Sequence, residues 1–311
     1  MKKVITVTMN PSIDKTITVD KLIPYGLNRV KSSRIDPGGK GINVARVLNN
    51  FKIDTLISGL IAGEQGRVLT GFLEQAGLEF SFLEIEGDTR TNIKLVDISE
   101  NKTTEINENG FSVSSQSLEQ YKEMFKTQIE NASLAVLSGS LPLGVPADFY
   151  ADCIEIAKSK GVRTILDADG EPLKRGLKAV PYAVKPNIHE LEAVIGRKLM
   201  TKKEVLDAAR ELLETGIEIV IVSMGADGAV IADRNEAFSS ETWNADIKST
   251  VAAGDSMVGA LAFAVLSEKS LNEIAKITTA AGTVTASKEG TQICGMTEVF
   301  ESLEKVTVKE L

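Results

Sequence analysis

Apolar and polar positions along the chain fall into two kinds of pattern. Residues 4–9 alternate, are β-rich and end at Asn10-Pro11, which predicts a first strand. The stretches 13–19, 29–35, 91–98 and 103–107 also favour strand but carry a polar residue at every second position, and Ser99-Glu100-Asn101-Lys102 reads as a hairpin turn between the last two. Such alternation suits a partly exposed sheet, so these four predict a small β-sheet standing apart from the main body. The rest of the chain alternates strand with helix. Helices are predicted at 42–51, 65–76, 118–130, 147–159, 201–213, 255–267 and 271–287. Gly77 closes the second, and the pairs Ser117/Gln120 and Thr201/Glu204 are spaced as capping boxes for the third and fifth. Short apolar strands are predicted at 55–61, 134–137, 162–166, 182–184 and 219–222. The expected fold is α/β: a doubly wound, mainly parallel sheet flanked by helices, one unit over 1–311, with lid strands inserted at about 12–36 and 90–108.

Composition narrows the chemistry. The chain has 311 residues, 43% of them hydrophobic, which is enough for one large core. With 43 Asp and Glu against 35 Lys and Arg, the net charge of −8 disfavours nucleic acid and anionic membrane as partners. No apolar run reaches signal or transmembrane length, so a cytoplasmic location is expected. Cys153 and Cys294 are isolated and His189 is the only histidine, which argues against zinc sites and histidine-dependent triads. Carboxylates, lysines, backbone groups and an added metal remain.

The most informative stretch is Ser249-Thr250-Val251-Ala252-Ala253-Gly254-Asp255, a turn of small residues feeding a helix. Unpaired N–H groups and the dipole at such a terminus favour an anion. Asp255 there is either a plain first-turn acid or a general base facing a bound phosphoryl group. Pro37-Gly38-Gly39-Lys40-Gly41-Ile42-Asn43 also suits phosphate, or is a glycine turn with a solvated lysine. It is not a P-loop, because Arg34 stands where the first glycine belongs and Gly41 where Ser or Thr should follow the lysine. Asp14 and Ser138-Gly139-Ser140 follow core strands, where ligands of open α/β sheets bind, and Arg90 at a lid strand would suit a phosphate. Lys185, Asn187 and Glu190 could face a triphosphate and a hydrated magnesium, although Asn187 and Glu190 also have capping-box spacing. Ser223 to Gly228 is either a ligand-facing turn or an ordinary hairpin.

Together, Asn10-Pro11-Ser12-Ile13-Asp14, the Gly-Gly-Lys-Gly-Ile-Asn-Val-Ala-Arg run from Gly38 to Arg46, Thr89-Arg90-Thr91-Asn92, Ser138-Gly139-Ser140-Leu141-Pro142, Lys185-Pro186-Asn187 with Glu190, and the stretch 249–260 resemble the PfkB (ribokinase-like) carbohydrate kinases. The likeness spans essentially the whole chain and lies nearest the 1-phosphofructokinase and tagatose-6-phosphate kinase branch. It implies an ATP-dependent sugar-phosphate kinase with Asp255 as base and an anion hole at Ala253, Gly254 and Asp255, preceded by Ala252. It implies sugar-phosphate contacts from Asp14, Gly38, Gly39, Lys40, Asn43, Arg90, Ser138 and Gly139. Nucleotide contacts would come from Lys185, Asn187, Ser223, Gly225, Ala226, Gly228, Thr250, Thr279 and Gly282, with Glu190 holding magnesium through water.

The family turn usually reads Gly-Ala-Gly-Asp. Ala252 replaces its first glycine, and a methyl is expected to be tolerated there on a negative φ. Gly176-Leu177-Lys178-Ala179, Gly196-Arg197-Lys198-Leu199 and Ser249-Thr250-Val251 favour fructose 1-phosphate over tagatose 6-phosphate. A nicotinamide-dependent oxidoreductase would need glycines where Met9-Asn10-Pro11-Ser12 stands. A sugar-phosphate sensor without turnover has only Ala252 in its favour and Asp255 against it. Exposed lid strands would suit a lid-to-lid homodimer.

Overall fold

The computed structural model of the protein describes residues 2–311; Met1, the first residue of the expected 1–311 unit, lies outside the described residues. The core is a ten-stranded sheet. Third from one edge, β1 (Lys3–Thr8) pairs in parallel with β4 (Thr55–Ala62) on one side and β8 (Ala132–Ser138) on the other. Beyond β4 lies β5 (Phe80–Ile85); beyond β8 follow β9 (Arg163–Asp167), β10 (Ala183–Val184) and β11 (Ile219–Ser223), all parallel. The sheet then turns antiparallel through β12 (Ala229–Ala232), β13 (Ala237–Glu241) and β14 (Thr307–Glu310). The mainly parallel sheet is as expected, and β12 is the run that the hairpin reading of the 223–228 turn implies; β13, β14 and β5 were not predicted individually.

Central strands are apolar on both faces because both are covered by helices. On one face Ile5, Val7, Leu137 and Val222 pack with α3 (Ser115–Ile129), α4 (Phe149–Ser159), α5 (Gly170–Lys178), α6 (Ile188–Ile195) and α7 (Lys202–Glu214). On the other, Val4, Val136, Ile165 and Ile221 pack with α1 (Lys40–Asn50), α8 (Ala253–Leu266), α9 (Leu271–Ala286) and α10 (Met296–Glu301). Leu69 and Leu73 of α2 (Gly63–Gln75) join Ile42 of α1 and Ile57 of β4 in a third cluster. Among the described residues no helix is long and apolar enough to cross a membrane.

Two expectations are corrected. The third helix begins earlier, with Ser114 as its cap accepting from the Ser117 N–H, so Ser117/Gln120 forms no capping box. The serine-rich run 114–117 offers more than one cap, and the earlier one gains the extra turn. The lid strand expected at 29–35 is β3 (Ser32–Gly38), because pairing of Ser12 with Gly38 sets its register to the far end.

The small sheet has the order β3, β2 (Ser12–Val19), β6 (Arg90–Asp97), β7 (Lys102–Asn107). Its register puts Ile35, Lys15, Ile93 and Ile106 in one row and Asp36, Asp14, Asn92 and Asn107 in the next. Successive residues point to opposite faces, so one face is rich in isoleucine and the other polar. Below it the chain enters α1 through a close backbone approach: a Cβ on Gly41 of α1 would lie 2.6 Å from the Val7 carbonyl oxygen of β1. Only glycine lets the start of α1 sit directly over the end of β1.

Candidate active site

The turn entering α8 is tighter than expected. Ala252 is the N-cap and adopts φ 61°, ψ 4°, left-handed and not the negative φ anticipated. This conformation points its carbonyl at Ser256 N–H, 2.9 Å away, and starts the helix. Ala253 N–H reaches only Thr250 O at 3.4 Å, and the N–H groups of Gly254 and Asp255 have no backbone partner among the described residues. A Cβ on Gly254 would come 3.5 Å from Lys185 Nζ, which therefore sits against these open donors.

Asp255, in the first turn of α8, is only 7% exposed, and its Oδ2 accepts a 2.8 Å hydrogen bond from Asn43 Nδ2 on α1. Burial and the nearby Asp167 carboxylate push its pKa up to about 6; Lys40, the Asn43 bond and Lys185 oppose the rise without cancelling it. Asp167, buried at the end of β9, is the site residue that sequence reasoning missed. Its Oδ1 lies 3.3 Å from Lys185 Nζ and 3.5 Å from Lys40 Nζ, and its buried Oδ2 has no partner. Burial pushes Asp167 upward, but the two ammonium groups outweigh it and hold the carboxyl below the ordinary carboxylate range. Lys40 is held well above its usual value, chiefly by Asp167 against the cost of burial. The available signal was position: β9 runs one residue past the expected end at 166, which places Asp167 at the carboxyl end of a parallel strand.

The residues expected on the sugar side are placed as follows. Gly139 N–H donates to Asp167 O at 3.1 Å, and Ser138 beside it is buried with its hydroxyl unpaired. Asp14 on the polar lid face accepts from Ser12 Oγ (2.8 Å), Asn92 Nδ2 (3.1 Å) and Lys94 Nζ (3.2 Å). Gly38 leaves room for the Asp14 carboxylate, whose Oδ1 a Cβ there would meet at 2.5 Å, and Gly39 caps α1 at φ 122°. Arg90 is anchored by Asn10 O (3.1 Å) and Glu108 O (3.2 Å).

The other flank is more self-contained. Asn187 and Glu190 form a true capping box at the start of α6, with reciprocal bonds of 2.9 and 2.8 Å, so the helix-capping alternative is realised in this structure. That occupies Glu190 Oε2 and Asn187 Oδ1 and leaves Glu190 Oε1 outside the capping bonds. Ser223 bridges to Asn187, and Gly225 (φ 60°) and Gly228 (φ 83°) turn the chain between β11 and β12, so this segment is also the hairpin alternative, with Ala226 near its tip. Thr279 is turned inward, 2.6 Å from Ser240 Oγ, while Gly282 packs against Met257 of α8, whose Cγ a Cβ there would meet at 3.0 Å. Thr250 is exposed at the turn. A cavity of about 480 Å³ lined by Met200, Lys202, Met224, Ala226 and Asp227 meets this flank at the 223–228 turn and at Ile188, and does not include Asp255.

Open helix N–H groups, two lysines and a buried carboxylate of raised pKa at the ends of parallel strands, overhung by a polar sheet face, define the layout of a phosphoryl-transfer enzyme. The chain belongs to the pfkB family of carbohydrate kinases, whose family model matches residues 7–298. It is 38% identical to the 1-phosphofructokinase of Xanthomonas campestris pv. campestris over 89% of this chain and 88% of that one, and 34% identical to the 1-phosphofructokinase of Borreliella burgdorferi over 98% of each. The structure of phosphofructokinase-2 from Escherichia coli in complex with potassium superposes with a TM-score of 0.92 at 29% identity, covering 98% of this chain and 99% of that one.

A left-handed alanine costs roughly 1–2 kcal/mol relative to glycine in the folded state, partly offset by the greater chain entropy of glycine when unfolded. Ala252→Gly should therefore raise stability by up to about 1 kcal/mol in denaturant titration. A loss of stability would mean that the methyl makes contacts outweighing the strain.

Proposed function

We propose that this carbohydrate kinase transfers the γ-phosphoryl group of ATP to the free primary hydroxyl of fructose 1-phosphate, giving fructose 1,6-bisphosphate. The observation that carries the reading is the buried Asp255 carboxylate beside the unpartnered N–H groups of its own helix, in a chain similar end to end to 1-phosphofructokinases. Asp255 accepts the proton of the attacking hydroxyl, and the N–H groups of Ala253, Gly254 and Asp255 hold the charge of the transferring group. Lys185, against Gly254, neutralises the same charge from the nucleotide side, with Asn187, Ser223, Gly225, Ala226, Gly228, Thr250, Thr279 and Gly282 lining the nucleotide. Lys40 and Arg90 hold the sugar's existing phosphate, Asp14 and Asn43 its hydroxyls, and Gly38, Gly39, Ser138 and Gly139 let it approach the backbone.

Among the described residues no cluster of three or more acidic or histidine side chains forms a metal cage. The unpartnered Asp167 Oδ2 and the free oxygen of Glu190 do fit a hydrated magnesium that arrives with the triphosphate. Such an ion would neutralise charge on the phosphates. ATP as co-substrate is consistent with a cytoplasmic enzyme. No observation favours tagatose 6-phosphate, and none but Ala252 favours a sensor.

Three outcomes are expected. With magnesium-ATP, fructose 1-phosphate should exceed tagatose 6-phosphate and fructose 6-phosphate in kcat/KM by about tenfold or more, a discrimination that polar contacts readily supply; an equal or better rate with either rival would transfer the assignment to it. Asp255→Asn should lower kcat by roughly 10²- to 10⁴-fold while ATP still binds. In the parent enzyme kcat should fall as pH drops below the value near 6 at which Asp255 takes up a proton; a profile flat down to pH 5 would exclude Asp255 as the base.

The apolar lid face suggests a homodimer. Ile35 and Ile106 lie in one register row and are 42% and 56% exposed, and Ile23 and Leu27 in the adjoining loop are more than half exposed. A second copy packed lid to lid would cover them. Sedimentation should show a dimer that the double change Ile35→Lys, Ile106→Lys dissociates, whereas a parent that sediments as a monomer at micromolar concentration overturns it.

A further inference from the structure

We infer that Arg46 is a positioning residue of the phosphoryl transfer, fixing the Asn43 carboxamide so that its amino group faces Asp255 and bracing the turn that carries the open N–H groups. Arg46 stands three residues after Asn43 on α1, hence on the same side of the helix. Its Nη1 donates to Asn43 Oδ1 at 3.1 Å, while Asn43 Nδ2 donates to Asp255 Oδ2 at 2.8 Å. The two ends of a carboxamide have nearly the same shape and differ in polarity. Turned over, Asn43 would set its oxygen against the Asp255 carboxylate and its amino group against a guanidinium, and both contacts would repel. The guanidinium thus dictates which end meets the base.

Its second arm reaches elsewhere. Arg46 Nη2 donates to Thr291 O at 3.3 Å, in the segment after α9. That segment is tied to the turn, because Ser249 Oγ donates to Gly290 O at 2.9 Å and the Ser249 N–H to Ala286 O at 3.1 Å. Arg34 of the lid donates to Thr291 Oγ1 at 3.3 Å. One planar fork therefore holds the partner of the base and the support of the turn in a fixed relation, which a lysine with a single point of attachment cannot do. Neither arm touches the reacting atoms.

The inference rests on Asp255 being the base, and the test separates the two. Asp255 is faced by Asp167 from β9, Lys40 and Asn43 from α1, and Lys185 from the loop after β10, with Arg46 behind Asn43; Asp36 and Asp14 of the lid, and Arg34, act on Arg46 itself. Removing Arg46 takes away a positive charge and loosens a donor, so the acid limb of kcat should move to higher pH. Arg46→Met, which keeps the apolar stem, should lower kcat about 10- to 30-fold with both KM values within about threefold, and move that limb up by roughly half a pH unit. In an Asn43→Ala background the same substitution should cost less than about threefold, because the two residues act in series. Effects that multiply independently, or a loss confined to KM, would overturn the inference. If Arg46→Met does not fold, the same cycle is run with Arg46→Lys, which keeps the charge but not the fork; coupling with Asn43→Ala supports the inference and independence defeats it. An Asp255→Asn enzyme that retains activity takes down both readings, whereas an inactive one with independent Arg46 and Asn43 effects takes down only this one.

Discussion

The site depends on one buried charge arrangement: Asp167 between Lys40 and Lys185, with Asp255 close enough to feel all three. Burying a carboxylate is costly unless opposite charges compensate, and burying ammonium groups likewise. Asp167 resolves both costs by holding two lysines that would otherwise repel each other across the cleft. The remaining imbalance falls on Asp255, which gains a second carboxylate as neighbour and ends with a pKa near 6. A general base is most effective when its pKa lies near the working pH. In the proposed mechanism the counter-ion that holds the two lysines together thus also sets the strength of the base.

One close backbone approach helps to place that arrangement. Gly41 lets α1 lie on the end of β1, which carries Lys40 and Asn43 over the carboxyl ends of the strands. A side chain there would push α1 outward, and the interactions of Lys40 with the buried carboxylates would weaken with distance and with the water let in between. Ala252 shows the converse. Its methyl is carried in a left-handed turn, so local strain is accepted where the direction of the helix start is at stake.

Local pattern made the frame legible. Continuous apolar runs such as 55–61 and 219–222 appear as β4 and β11, and the alternating polar stretches appear as the four-stranded lid. Less was legible where tertiary context decides. The α5 helix has only nine residues, with Pro172 and Gly176 inside it, so its apolar face is a single pair one turn apart, Leu173 and Leu177, too short a pattern to announce a helix. The four- and five-residue strands β12 to β14 are stabilised by pairing at the sheet edge more than by their own composition. Asp255, Lys40 and Lys185 could be singled out from their turns. Asp167 is marked only by its place at the end of β9, and its pairing with Lys40, 127 residues away, is recorded nowhere in the intervening sequence.

The lid joins the chemistry of the cleft to the exterior of the molecule through its register alone. Asp14 and Asn92 point toward the site because they share a row with Asp36, and the adjacent row of Ile35, Lys15, Ile93 and Ile106 must then face away. A slip of one residue between β2 and β6 would exchange the two faces, turning Asp14 outward and isoleucines onto the charged cluster. The bonds that Asp14 accepts from Asn92 and Lys94 of β6 oppose that slip because they exist only in the observed register, while the Ser12 bond lies within β2. The hydrogen bonds that orient Asp14 in the cleft therefore also determine that an apolar surface is presented outside it.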